Sequence, residues 1–140
     1  METKVLSILS QKGGCGKSSL TCIIASYLAY QKKKKVLVLD ADYPQHTFSK
    51  WRKDDLEIME MQDSVKAQFG AQNIPTYDIV GCDINQNGNV PYVLDILEKG
   101  RGVFDYILID LPGTFNNANL GNILAQIDII LVPFTESKET

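Results

Sequence analysis

Gln11-Lys12-Gly13-Gly14-Cys15-Gly16-Lys17-Ser18-Ser19 lies between an apolar run, Val5 to Leu9, and an amphipathic stretch that begins at Leu20. Its glycines let the backbone wrap closely enough for successive N–H groups to point inward at a polyphosphate, where side chains would collide with the ligand. In such a loop Lys17 reaches the β and γ oxygens and the Ser18 hydroxyl faces Mg²⁺. The helix that follows aims its positive dipole end and free N–H groups at the same point. The common form of this loop, G-x-x-x-x-G-K-[ST], wants glycine at position 11, where the chain has Gln11, and it lacks a counterpart to Lys12.

Outward from the loop, Leu20, Ile23, Ile24, Tyr27 and Leu28 recur at helical spacing and predict a helix with one apolar face. Val36-Leu37-Val38-Leu39 is a continuous, partly β-branched apolar run, as expected for a strand covered on both faces of a parallel sheet. Together these form a βαβ unit. The pattern returns: Pro91 can open a helix carrying Val93, Ile96 and Leu97 that Gly100 closes, before a strand at Tyr106 to Ile109. Leu120, Ile123, Leu124 and Ile127 mark another helix, and Ile129 to Val132 another strand. This alternation predicts a three-layer α/β domain over residues 1–140, its mainly parallel sheet flanked by helices, and with the glycine-rich loop after its first strand the pattern resembles the P-loop NTPase fold. Between Thr47 and Thr76 the spacing suggests a helix at Phe48, Trp51 and Leu56, a strand at Ile58 to Met61 and a helix at Ser64 to Ala71. Tyr77 to Cys82 reads as a strand, and Gln86-Asn87-Gly88-Asn89 as a turn or loop.

In open parallel sheets, ligands sit beyond the carboxyl ends of the strands, so polar residues that terminate apolar runs are site candidates. Asp40-Ala41-Asp42-Tyr43-Pro44-Gln45 follows one run and Asp110-Leu111-Pro112-Gly113-Thr114 another. An aspartate ending a hydrophobic strand is the Walker B arrangement, which holds Mg²⁺. It is also compatible with a plain strand-capping aspartate. Gly113 can bring a backbone N–H to a γ-phosphate and sense its presence.

The run K-G-G-x-G-K-[ST] resembles the deviant phosphate loop of the ParA/MinD family of ATPases, and Gln11 fits its ParA branch. The resemblance implies that Lys12, Gly13, Gly14, Cys15, Gly16, Lys17, Ser18, Ser19 and Gly113 bind ATP. It makes Lys12 the signature lysine that reaches the partner's nucleotide in an ATP-dependent homodimer. Asp40 to Gln45 resembles the family's D-x-D-P-Q segment with Tyr43 inserted, so the water-positioning role falls on Asp42, and Ser18, Asp40 and Asp110 are the Mg²⁺ set. The Tyr-Pro-Gln variant is similar to ParA-like proteins of conjugative elements. The implied function is a slowly hydrolysing Mg-dependent ATPase dimerisation switch in DNA or plasmid partition or conjugative-element maintenance, with a DNA-bound protein as a possible partner. The resemblance spans the supplied chain but only the N-terminal portion of a usual family member, which continues with further helices and strands. A nucleotide-binding adaptor with weak catalysis is the competing reading.

Bulk properties narrow the alternatives. A chain of 140 residues, 44% hydrophobic and 22% charged, can bury an ordinary core. Net charge of −3 gives no global attraction to nucleic acid or anionic lipid, so non-specific DNA binding is a family-level expectation that this charge does not support. The Lys32 to Lys35 run reads as a solvated turn that complements a helix C-terminus, in preference to a DNA or membrane contact. Phe48 and Trp51 read as core, and Arg52 and Lys53 as solvated charges, ahead of a partner surface. Cys15, Cys22 and Cys82 have no metal-like spacing, and His46 is the lone histidine, which suits a reducing cytoplasm and argues against iron–sulfur reductase chemistry. The Cys15 thiolate would be favoured by nearby lysines and the helix N-terminus. That gives a redox-inhibition reading beside the simpler one of a small residue that fits. No stretch approaches the ~20 apolar residues of a membrane span, and the Asn-Lys-x-Asp segment common in guanine readers does not occur, which leaves adenine.

Overall fold

Apolar runs too uniform to have a wet face need cover on both sides, and in this chain they line up as one parallel sheet. The computed structural model describes residues 2–9, 17–41, 53–54, 77–81, 89–111 and 120–133. In chain order these form β1 (Lys4–Ile8), α1 (Lys17–Ser26) with a π-helical turn Tyr27–Gln31, β2 (Val36–Asp40) and β3 (Asp78–Gly81). They continue as α2 (Asn89–Gly100), β4 (Tyr106–Asp110), α3 (Leu120–Leu124) and β5 (Ile129–Leu131). The strands run in the order β3-β2-β4-β1-β5, and every pair among them is parallel.

That order explains why the helices divide between the faces. The step from β1 through α1 to β2 travels one way along the sheet, and the steps through α2 and α3 travel back. Right-handed crossovers in opposite directions place their helices on opposite faces. Two cores result. Val5, Leu37, Leu39, Ile107 and Ile109 pack with Val93, Leu97 and Ile123 of α2 and α3. Leu6, Ile8, Val36, Val38 and Leu108 pack with Ala25 and Ala29 on the α1 side. The expected three-layer α/β architecture is borne out, with β4 central and buried on both faces.

The first helix differs from its sequence reading. It begins at Lys17 rather than Leu20, and its sheet-facing residues are Thr21, Ala25 and Ala29. Leu20, Ile23 and Tyr27 are exposed, while Ile24 and Leu28 are half-buried. Small residues win the inner face because they let the helix backbone lie close to a sheet already filled by Val36, Val38 and Leu108. Ala25→Leu is therefore expected to cost about 1–3 kcal/mol through overpacking, whereas Ile23→Ser, at a residue 64% exposed, should stay within about 0.5 kcal/mol of wild type. Urea unfolding of the two variants checks the assignment; the reverse ranking would restore the periodicity reading.

Other boundaries shift slightly. Asn89 opens α2 instead of ending a loop, the predicted closing glycine is the last residue of that helix, and α3 stops at Leu124 rather than reaching Ile127. The elements read between Thr47 and Thr76 lie outside the described residues, apart from Lys53 and Asp54. The Lys32 to Lys35 turn is exposed as expected. Lys32 N–H donates to the Tyr27 carbonyl at 3.1 Å and Lys34 N–H to Leu28 at 2.9 Å, across Lys33 at φ 54°, so the helix end is closed by its own backbone.

The leading rim of the sheet is fastened by side chains. Asp128 Oδ2 accepts the Val5 N–H and Asp105 Oδ2 the Lys35 N–H, each at 2.8 Å. Thr3 Oγ1 donates to the Phe104 carbonyl and accepts from Gly102 N–H, where φ is 82° and a glycine is required. At Gly100 an added Cβ would lie 2.8 Å from Ile107 Cδ1, so the end of α2 sits directly on β4.

Candidate functional site

The strand that follows β1 in the chain lies on one side of it, and the strand that follows β4 lies on the other side. A crevice at the carboxyl ends of these neighbouring strands is where open α/β sheets take ligands. Lys17 and Ser18, at the start of α1, meet Asp110, the last residue of β4, at these carboxyl ends.

Lys17 and Ser18 both meet Asp110. Lys17 Nζ donates to Asp110 Oδ1 at 3.0 Å and also to the Leu111 carbonyl. Ser18 Oγ donates to Asp110 Oδ2 at 2.8 Å. Both oxygens of Asp110 are thus engaged, by a cation on one side and a hydroxyl on the other. The Lys17 side chain is 12% exposed and that of Asp110 is 0%, which places the ion pair where water screens little. A short helix brace supports it: Thr21 Oγ1 donates to the Lys17 carbonyl at 2.8 Å.

Asp40 is the register partner of Asp110 on the adjoining strand and is fully buried. Alternation along β2 and β4 puts both aspartates on the face of Val38 and Leu108, the face that α1 covers. Ala41 N–H donates to the Asp110 carbonyl at 3.0 Å, which extends the ladder past the strand ends. Among the described residues, two carboxylates and one ammonium share this corner.

Of the residues expected to form the site, Lys17, Ser18 and Asp110 are in contact, Asp40 is one strand away, and Ser19 is exposed on the first turn of α1. Lys12, Gly13, Gly14, Cys15, Gly16, Asp42 and Gly113 lie outside the described residues. Sequence reasoning missed the Leu111 carbonyl. A main-chain oxygen leaves no side-chain signature, so only the fold could reveal it.

The donor set suits a hard divalent cation. Hydroxyl and carboxylate oxygens are what Mg²⁺ prefers. Among the described residues no three His, Cys, Asp or Glu side chains are grouped to hold a metal by themselves. No described helix is long and apolar enough to cross a membrane.

Comparison with known proteins decides the family. The model of the family described as ATPase MipZ matches residues 4–138. The chain belongs to the MipZ ATPase family. Its resemblance to ParA-type ATPases is borne out by a relative from Myxococcus xanthus (strain DK1622), the chromosome partitioning protein ParA, 26% identical over 147 residues. That match covers 93% of this chain and 51% of the relative. A putative plasmid partition protein from Borrelia burgdorferi B31 bound to AMPPNP has the same fold, with a TM-score of 0.65, 22% identity, and coverage of 99% of this chain and 65% of that one. The structure of pNOB8 ParA bound to nonspecific DNA gives a TM-score of 0.63 at 26% identity, covering 97% and 55%. The chain spans about half the length of the curated relatives it matches. Within this MipZ-family segment, the meeting of Lys17, Ser18 and Asp110 places the lysine and serine of the glycine-rich loop against the carboxylate that ends β4.

Proposed function

We propose that the chain binds ATP with Mg²⁺ at the crevice between β1 and β4 and hydrolyses it slowly, as the switch of a partition ATPase. The observation that carries this reading is the contact of Lys17 and Ser18 with Asp110 at the topological switch point. A polyphosphate needs cations and N–H donors on one side and metal-binding oxygens on the other. Lys17 with the glycine-rich loop 12–16 supplies the first, Ser18 and Asp110 the second, and Asp40 adds charge beside them. The metal, when bound, neutralises charge on the phosphate oxygens. Ser19 and the Gly113 N–H extend the nucleotide contacts, Asp42 orients the attacking water, and Lys12 reaches the nucleotide of a second copy in an ATP-dependent homodimer. Cargo-bound DNA and a DNA-bound protein are the partners this reading assigns, and the cytoplasm is its compartment.

Turnover and oligomeric state measured for wild type, Lys12→Ala and Asp42→Ala test the roles. Wild type should become dimeric with Mg-ATP and turn over, Lys12→Ala should stay monomeric, and Asp42→Ala should dimerise with turnover lowered by about 10² or more. Saturating Mg-ATP at 100 times its Kd should also stabilise wild type by about 2.7 kcal/mol. Stabilisation without turnover would leave a nucleotide-binding adaptor; no stabilisation at all would end the nucleotide reading.

A further inference from the structure

Lys32, Lys33, Lys34 and Lys35 form the turn from α1 into β2, and all four are exposed. Basic side chains after a helix are commonly explained by the last carbonyls of that helix. Here the main chain does this work, since Lys32 N–H bonds the Tyr27 carbonyl and Lys34 N–H that of Leu28. None of the four ammonium groups is in an ion pair. Lys32 Nζ lies 5.6 Å from the centre of the half-exposed Tyr27 ring, which steadies its direction and leaves its charge in place. Two local costs mark the same turn. Lys33 has φ 54°, where the residue after a helix end is commonly glycine. The helical turn before it, Tyr27–Gln31, is π-helical, a form frequent at functional sites. A lysine at position 33 therefore stands against local preference.

The rest of this rim, at the amino ends of the parallel strands, is closer to balance. Lys4 pairs with Glu2 at 3.1 Å and Arg101 with Asp128 at 3.7 Å, while Asp105 accepts the Lys35 N–H. Asp78 stands exposed at the start of β3. Excess positive charge is thus confined to one narrow turn of a chain whose net charge is −3. That shape selects among polyanions. A flat anionic membrane laid on the turn would bring Glu2 and Asp78 against its headgroups, whereas the ridge of a nucleic-acid backbone can meet the turn alone. We propose that the turn 32–35 is a docking point for the phosphate backbone of duplex DNA, remote from Lys17 and Asp110 at the carboxyl ends of the strands. Ammonium groups on phosphates fix position and read no bases, so the contact is independent of sequence. The choice of DNA rests on the partition reading above, to which this adds the surface that makes the contact.

The test is fluorescence anisotropy of a random-sequence DNA duplex with Mg-ATP present, titrated at several salt concentrations, for wild type, Lys33→Gly and Lys33→Gly/Lys34→Gln/Lys35→Gln. For wild type the logarithm of the binding constant should fall with the logarithm of salt at a slope of about −3 to −4, as four phosphate contacts require. Lys33→Gly should shallow the slope by about 1 while unfolding at the same or a higher temperature, because glycine suits the turn. The triple variant should bind at least about tenfold more weakly at about 50 mM salt, with the slope shallower by about 3. Wild-type affinity and slope in a triple variant that keeps the Mg-ATP thermal shift place the contact elsewhere and overturn the inference. So does a wild type that shows the thermal shift but does not bind the duplex. Vesicles containing phosphatidylserine, bound as tightly as DNA and released by the same substitutions, would overturn the choice of DNA. Absence of the thermal shift in wild type counts instead against the nucleotide reading.

Discussion

Lys17→Ala is expected to lower the stability of the ligand-free protein by about 3–5 kcal/mol, and to abolish the thermal shift given by Mg-ATP. The first effect follows from burial. Asp110 is fully shielded and pairs with Lys17 at 3.0 Å; breaking a buried pair from one side costs about 3–5 kcal/mol. Set against a total stability of about 5–15 kcal/mol for a domain, this is a fall in Tm of roughly 10–17 °C. The second effect follows from the loss of the cation aimed at the phosphates. The two separate in Lys17→Ala/Asp110→Asn, which should regain most of the stability because the stranded charge is gone, yet still bind no nucleotide. Thermal unfolding of the three proteins with and without Mg-ATP measures both. A single variant as stable as wild type would mean that the pair is solvated and worth little, as surface pairs are.

Leu108→Ala should be as damaging without touching the chemistry. Leu108 lies in β4 between β1 and β2, paired in register with Leu6 and Val38, and is completely buried. Its side chain packs among Ile8, Val36 and the two alanines of α1. Those neighbours are backbone-anchored on strands or on a helix that already approaches closely, so the space left by truncation would collapse little. Large-to-small substitutions at such sites cost about 2–5 kcal/mol, and the rigid surroundings place this one in the upper half of that range. Chemical denaturation at constant m-value is the measurement; a loss below about 1 kcal/mol would show that α1 can settle into the gap.

The parts of the fold that could be read from the residues are those with an unambiguous period. Val36 to Leu39 and Tyr106 to Ile109 are apolar at every position, which in a chain of alternating elements means strands with two covered faces, and both were found so. Leu20, Ile23 and Tyr27 misled because periodicity reports that a helix has an apolar stripe, not that the stripe faces the sheet. The decision was made by Thr21, Ala25 and Ala29, whose small size is invisible to a hydrophobicity count. At the site, Lys17, Ser18 and Asp110 could be nominated from the order of glycine loop, helix and strand end, because each sits beside an element boundary the sequence marks. Their mutual contact could not, since it depends on β4 lying beside β1, a pairing that skips most of the chain. The same pairing brings the Leu111 carbonyl to Lys17.

Gly100 extends this dependence to the far end of the strand. α2 ends against the tip of Ile107, where an added Cβ would lie 2.8 Å from Cδ1, and the strand that Ile107 belongs to advances about 3.3 Å per residue toward Asp110. A side chain at position 100 would press on the same strand that carries the carboxylate, about 10 Å from it. The helix end and the site are thus two loads on one strand.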